Sequence, residues 1–189
     1  MNNTSGYIGY QLKELLKGNL IGSVFTDPNN PEDFIAGYVQ SVGAKSTLVA
    51  SITPYGQPDG FFGVKLPAVL EVQYDNAYAE RLQLLMRLNN VRIGRMEIMP
   101  EEDAVSRLFM LSLTTGCAVT LWTATESYPG FVTQLNDLFV EIQTVDFMGE
   151  RCPPMSFRLI DIEMVSIGSE EERMYEKLDN YHHEKKGGR

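Results

Sequence analysis

The chain has little of what metal centres, disulfide frameworks and acid–base catalysis require. Its 189 residues include only two cysteines and two histidines. Two cysteines cannot build a disulfide framework, and we expect neither a structural disulfide nor a Cys/His zinc cluster. Both thiols, at Cys117 and Cys152, are therefore predicted to be free. His182 and His183 lie in a polar C-terminal segment, so no histidine base or histidine metal ligand is expected inside the fold.

Long apolar runs and an excess of positive charge are also missing. No stretch approaches 18 consecutive apolar residues, and the N-terminal segment has no basic, apolar leader. We therefore expect a cytoplasmic protein that does not enter a membrane. Asp and Glu outnumber Lys and Arg by 25 to 16, which gives a net charge of −9. Such a charge repels a phosphate backbone and disfavours nucleic-acid binding through bulk electrostatics.

The short motifs of common active sites are absent as well. The chain has no phosphate-binding loop of the form GxxxxGK[ST] or GxGxxG, no GxSxG and no HExxH. Its carboxylates are plentiful but scattered. The acidic groups at 170–172 and 27–33 are better explained as a helix start and a solvated loop than as cation sites. We predict no catalytic residue, no cofactor and no metal. An enzyme whose site consists of carboxylates alone ranks third, behind the protein-binding and RNA-binding functions considered below.

What the chain does contain is an internal repeat. When the sequence is aligned with itself at an offset of 93 residues, the apolar positions of 35–85 and 128–178 stay in phase. Gly37 then falls on Gly130, and Gly56 falls on Gly149. We interpret this pattern as a duplicated structural unit, and we predict that both halves have the same fold.

Each half has the same predicted order of elements, namely a helix, five short strands and a closing helix. In the first half the helices are predicted at 7–17 and 76–88, and the strands at 20–26, 34–42, 47–53, 61–66 and 70–74. In the second half the helices are predicted at 101–113 and 170–178, and the strands at 118–123, 130–135, 138–145, 155–159 and 163–166. The predicted core residues are Val39, Ile52, Val64, Leu66, Val72, Val132, Val145, Phe157, Leu159 and Val165.

These elements predict the domain organisation. We expect a first domain at 1–90, an extended and partly buried connector at 91–100, and a second domain at 101–180. The glycine-ended, charged segment 181–189 is predicted to be a disordered tail.

A helix, five short strands and a one-turn break before the last strand are the plan of the Sm-like small β-barrel. The breaks fall at 67–68 and 160–161. The segments FIAGYV at 34–39, SITPYG at 51–56, AYAERL at 77–82, RLIDI at 158–162 and SEEER at 169–173 resemble a bacterial family, mostly from Firmicutes. That family has two such barrels in tandem and no assigned activity.

The resemblance covers about residues 8–180, and it implies a mainly β fold with flanking helices and two tandem Sm-like barrels. It fails at Cys152-Pro153-Pro154, where the first half has Asp59-Gly60-Phe61. Sm-like edge strands commonly pair into rings. Here each barrel has a tethered twin that can cover an edge, so we expect a monomer or a dimer.

RNA binding follows from the same resemblance as an alternative. Sm-like barrels often bind RNA with an acid and an asparagine between strands 2 and 3 and a basic–glycine step before strand 5. The first of these turns is 42–45 in one half and 135–137 in the other, and neither half has the basic–glycine step. Arg92, Arg95 and Arg107 are the only candidates for a local basic patch, so RNA is possible but disfavoured by charge.

The two halves differ in charge, which indicates where a partner would bind. Residues 1–90 have 6 basic and 8 acidic side chains, a sum of −2, whereas residues 91–189 have 10 and 17, a sum of −7. The nearly neutral first half has a turn rich in Gly, Pro and aromatics, which is typical of a contact surface. Its predicted contact residues are Tyr55, Gly56, Asp59, Gly60 and Phe61. We expect a non-enzymatic module that binds a protein partner or itself.

Overall fold

The computed structural model describes residues 4–30, 32–99 and 101–187. Ten antiparallel strands and four helices form this part of the chain, which confirms the expected mainly β fold with flanking helices. The contacts divide the chain into two compact units, with the boundary between Val105 and Ser106. No helix in the described ranges is long and apolar enough to cross a membrane.

The first unit begins with a helix and ends with a helix and an extended connector. Its elements are α1 (Thr4–Gly18), β1 (Ile21–Phe25), β2 (Phe34–Val42), β3 (Ser46–Ile52), β4 (Pro58–Lys65), a one-turn 3-10 helix (Leu66–Ala68), β5 (Glu71–Tyr74) and α2 (Ala77–Leu88). The 3-10 turn lies at the predicted break. Asn76 caps α2, because its side-chain oxygen accepts a hydrogen bond from the Ala79 amide at 2.9 Å.

The strands of this unit are hydrogen-bonded in the order β5-β1-β2-β3-β4, and every pair is antiparallel. The four residues of β5 all pair with β1. Among the described residues, β5 and β4 therefore lie at opposite ends of the order and do not pair with each other. The closed barrel that the resemblance implies is not seen, and the sheet is open.

The connector after α2 is held along β2. The Gln40 side chain donates to the Gly94 carbonyl at 2.6 Å and accepts from the Met96 amide at 2.7 Å, so one amide group replaces a pair of strand hydrogen bonds. Val91 and Ile93 pack against the core cluster of this unit, which includes Ile21 and Leu82. Over 91–99 the connector is extended, and it is half-buried at 91, 93, 96 and 98, as its sequence pattern indicates. Residue 100 of the predicted connector lies outside the described residues.

The second unit has the same elements in the same order. They are α3 (Ala104–Thr115), which begins at the boundary, β6 (Ala118–Thr123), β7 (Ser127–Leu135), β8 (Phe139–Thr144), β9 (Met155–Arg158), a one-turn 3-10 helix (Leu159–Asp161), β10 (Ile162–Ile167) and α4 (Glu170–Gly187). The strand order within this unit is β10-β6-β7-β8-β9, which is the order of the first unit element by element.

The strand registers of the two units agree at the offset of 93 residues. Gly37 lies opposite Ser51, and Gly130 lies opposite Thr144. A register shift follows Val39 in β2 and Val132 in β7, at the same place in each strand. The partners of the two glycines and the positions of the two register shifts depend on pairing between distant segments. They are therefore a similarity between the units that is independent of the apolar periodicity of the sequence.

The predicted core is confirmed at seven of its ten positions, and these side chains are buried: Val39, Ile52, Val64, Val72, Val132, Val145 and Val165. The prediction was wrong for Leu66, Phe157 and Leu159, which are only half-buried. Leu66 and Leu159 begin the 3-10 turns, and Phe157 lies in the short strand β9, where its ring packs on Tyr128 with centroids 4.7 Å apart. Alternation of apolar and polar residues does not show where a strand ends, so these three residues were assigned to the buried face of a strand.

The segment predicted as a disordered tail, 181–189, is helical over 181–187, and residues 188–189 lie outside the described part of the chain. Its helix has contacts that a composition argument does not anticipate. A His182 ring nitrogen lies 3.1 Å from the Met148 carbonyl oxygen, and the Lys185 ammonium lies over the Tyr181 ring at 4.6 Å. The predicted domain start at 1 likewise includes residues 1–3, which are not described.

Candidate functional site

The turn between β3 and β4 is held rigidly by its own hydrogen bonds. The Thr53 hydroxyl oxygen accepts from the amides of Tyr55 and Gln57, at 3.3 and 3.1 Å. The Gly56 amide donates to the Thr53 carbonyl at 2.9 Å, and the Thr53 amide donates to the Gln57 carbonyl at 2.8 Å. Tyr55 is at the tip, where it is 74% exposed. The fixed backbone therefore presents an aromatic side chain to solvent.

Gly56 lies beneath this tip and fixes the turn on α2. Its φ is +76°, a conformation that favours glycine. A Cβ at this position would lie 2.8 Å from the Cβ of Leu85, so the close approach to the helix also requires glycine. Gly56 is buried and has a structural role under the exposed tip.

The other three residues of the predicted contact surface lie in β4. Asp59, Gly60 and Phe61 are half-buried there. The Phe61 ring faces the connector, because a Cβ added at Gly94 would lie 3.8 Å from its ring. The structure thus places Tyr55 alone at the tip, Gly56 below it, and the remaining three in the strand that follows.

The second unit has an equivalent turn between β8 and β9. The Asp146 carboxylate accepts from the amides of Met148 and Glu150, both at 2.9 Å. Gly149 has a φ of +73°, and a Cβ there would lie 2.3 Å from the Cβ of Leu178 on α4. The tip presents Phe147, 81% exposed, and Met148, 51% exposed. Sequence reasoning missed these two residues, although the 93-residue offset aligns Met148 with Tyr55.

A cavity of about 450 Å³ lies in the second unit, between strands β7 and β8 and helix α4. Arg151 forms a two-pronged ion pair there: its Nε donates to Asp179 Oδ1 at 2.8 Å, and its Nη2 donates to Oδ2 at 2.9 Å. These hydrogen bonds hold the pKa of Asp179 below its usual range. The guanidinium also lies over the Phe131 ring, 5.5 Å from its centroid. Glu176 accepts from the Ala118 amide at 3.0 Å.

The first unit has a cavity of about 600 Å³ at the corresponding place, between β2, the end of α2 and the connector. Its lining includes Tyr38, Gln83, Arg87 and Arg92. Burial raises the pKa of Tyr38, while the positive charge of Arg87 acts in the opposite direction.

The other candidates from the sequence do not assemble into a site. No group of three metal-ligating side chains occurs within the described ranges, and both cysteines are free thiols. The Asp27 carboxylate accepts from the Asn29 amide at 2.8 Å within its own loop. Glu172 of the acidic run is buried and caps α4. Arg95 is exposed on the connector and Arg107 is exposed on α3.

The turns at 42–45 and 135–137, on which the RNA-binding alternative depends, are closed by internal hydrogen bonds. In the second unit, the Asn136 side-chain oxygen accepts from the amides of Leu138 and Phe139, at 2.8 and 3.0 Å. In the first unit, the Gly43 amide donates to the Ser46 carbonyl at 2.9 Å, and Lys45 is exposed. Asn136 thus uses its acceptor to close its own turn.

A scan against protein-family models finds no match for this chain, and a search of the curated proteins finds none either.

Proposed function

We propose that the protein is a cytosolic, non-enzymatic interaction module that binds a protein, either another chain or a second copy of itself. The observation that carries this proposal is the rigid presentation of apolar side chains on the two equivalent turns. Tyr55 in one unit, and Phe147 with Met148 in the other, point into solvent from backbones that are fixed by hydrogen bonds and by a glycine on a helix.

The physical reason is the cost of ordering a contact surface. A flexible loop loses conformational entropy when it binds, whereas a turn that is already fixed loses little. Aromatic side chains and methionine are enriched in protein interfaces, where a few large anchors provide most of the binding free energy. Tyr55 adds a hydroxyl group that can donate or accept a hydrogen bond at the edge of such an interface.

The same proposal includes the finer fold. We propose that each unit is an Sm-like fold, with the five strands and the 3-10 turn before the last strand in the expected places. The matching strand order, register shifts and glycines support a duplication of one such unit. Asp59, Gly60 and Phe61 are then the flank of the Tyr55 tip, and Asp59 already interacts within the protein.

An Sm-like RNA-binding regulator is the second candidate. The observation that favours it is an aromatic ring beside two arginines, Tyr38 with Arg87 and Arg92, in the first unit. Aromatic stacking combined with cationic side chains is a general mode of single-strand recognition. The acidic net charge of −9 opposes this function.

The mass and the absorbance of the purified protein distinguish the two candidates. In size-exclusion chromatography with light scattering, we expect one chain of 21.3 kDa or a dimer of twice that mass. The 260/280 nm absorbance ratio at low salt should be that of protein alone. A stable species of six or more chains that carries nucleic acid would contradict the proposal and would favour the RNA-binding candidate.

A further inference from the structure

The cavities of the two units are lined by equivalent positions. At the offset of 93 residues, Tyr38 corresponds to Phe131 and Arg87 to Asn180. Gln83 corresponds to Glu176, and Met86 corresponds to Asp179. Each cavity is therefore formed by the second strand of its unit and by the same face of the closing helix.

In the second unit, the protein supplies its own anion to this cavity. The Asp179 carboxylate is bound by Arg151 through two hydrogen bonds, at 2.8 and 2.9 Å. His183 lies 3.6 Å from the same carboxylate. One arginine and two carboxylates, Asp179 and Glu176, line this cavity, so the formal charge of its lining is −1.

In the first unit, both carboxylate positions are occupied by uncharged residues. Met86 stands where the second unit has Asp179, and Gln83 stands where it has Glu176. Two arginines, Arg87 and Arg92, line the cavity without any acidic residue, so the formal charge of the lining is +2. Neither arginine forms an ion pair within the described part of the chain.

The protein has a net charge of −9, yet this lining holds two arginines and no carboxylate. The planar guanidinium matches a carboxylate or phosphate group through two hydrogen bonds. The Tyr38 hydroxyl and the Asn90 amide add further hydrogen-bond donors, and Met86 and Val91 provide an apolar wall. A volume of about 600 Å³ is in the range of small-molecule sites.

We propose that the cavity of the first unit binds the carboxylate or phosphate group of a small-molecule anion, with Arg87 and Arg92 as the residues that hold it. This site is separate from the Tyr55 turn, and it does not depend on the proposed protein binding.

The test is a titration of the ¹⁵N-labelled full chain, followed by NMR at constant ionic strength. One arm uses citrate, a second uses inorganic phosphate, and sodium chloride serves as the reference anion. We expect saturable shifts of the Tyr38, Asn90 and Arg92 amide signals and of the Arg87 side-chain Nε–H signal. The two arms show whether the site prefers carboxylate or phosphate. The absence of saturable shifts with both anions would overturn the proposal.

Three variants with the same change in net charge make the test specific. R87Q removes a guanidinium from the cavity, and Q83E introduces the carboxylate that the second unit has there. Both should weaken anion binding about tenfold or more. R87Q removes a charge-assisted hydrogen bond to the anion, and Q83E places a negative charge beside it. R81Q changes an exposed arginine of α2 outside the cavity and should bind as the unaltered chain does.

The Gln83 side chain is half-buried and the Arg87 side chain is exposed. Changes at these positions should therefore leave the protein folded, with the dispersed spectrum of the unaltered chain. Unchanged binding in R87Q or in Q83E would overturn the proposal. An equal loss in R81Q would also overturn it, because it would show attraction by bulk charge rather than a site.

Discussion

Replacing Gly37 by alanine should destabilise the first unit by about 3 kcal/mol or more, at or above the upper end of the range for overpacked sites. A Cβ at this position would lie 2.1 Å from the Ala50 carbonyl oxygen and 2.9 Å from its carbon. Both are backbone atoms of the neighbouring strand β3. They cannot move aside without separating β2 from β3, where Gly37 pairs with Ser51.

The measurement is urea unfolding followed by circular dichroism, with Gly9→Ala as the matched control. Gly9 lies in α1, and a Cβ there would meet no atom within 4 Å. The same chemical change should therefore stabilise the helix by about 0.5–1 kcal/mol. A Gly37→Ala variant with the unfolding midpoint of the unaltered protein would show that the close approach of β2 to β3 is incorrect.

The repeat extends this prediction to the second unit. A Cβ at Gly130 would lie 2.4 Å from the Gln143 carbonyl oxygen, so Gly130→Ala should have a comparable effect. The single tryptophan, Trp122, is in β6 and reports on this unit by fluorescence. We expect Gly130→Ala to lower the fluorescence midpoint more than Gly37→Ala does.

Replacing Glu172 by alanine should lower the free energy of unfolding by about 2–4 kcal/mol. The side chain is 0% exposed and forms a capping box at the start of α4. Its Oε2 accepts from the Ser169 amide at 2.7 Å, and its Oε1 accepts from the Ser166 hydroxyl. The alanine variant would leave these two donors without a partner in a buried place.

Two control variants separate the cap from the loss of charge. Glu171→Ala removes an exposed carboxylate from the same helical turn and should cost well below 1 kcal/mol. Glu172→Gln keeps the shape and one acceptor oxygen, so its loss should lie between those of the two alanine variants. If Glu171→Ala and Glu172→Ala unfolded at the same urea concentration, the buried cap would be refuted.

Much of the fold follows from local sequence patterns. Strand alternation, helical spacing and the two glycines at a 93-residue offset predicted the helices and strands in order. The breaks before the last strands, where the structure has the two 3-10 turns, came from the Sm-like plan of the resemblance. The role of Glu172 was also within reach, since Ser169 followed three residues later by Glu is the capping-box signature. The helix over 181–187 could not be predicted in this way, because its contacts, such as that of His182 with the Met148 carbonyl oxygen, involve a turn that is distant in the sequence.

The sites were predicted less completely, for a physical reason. Tyr55 was predicted as a contact residue because a turn rich in Gly and Pro is recognisable from local sequence alone, and the structure places it at an exposed tip. The cavity of the first unit joins Tyr38 to residues 83–92, which only the packing of α2 and the connector brings together. Its lining has two arginines and no acidic residue, whereas the equivalent cavity has Glu176 and Asp179.

Position-specific photocrosslinking at the Tyr55 turn tests the proposed protein binding most directly. A photoreactive benzoylphenylalanine is placed at position 55, or at position 10 as the control, in cells that naturally make the protein. Tyr10 is a suitable control because it is also a tyrosine, 57% exposed, on α1. We expect one discrete protein adduct from position 55 and none from position 10, with the adduct mass showing whether the partner is another chain or a second copy. No adduct at position 55, or equal adducts at both positions, would contradict binding through this turn.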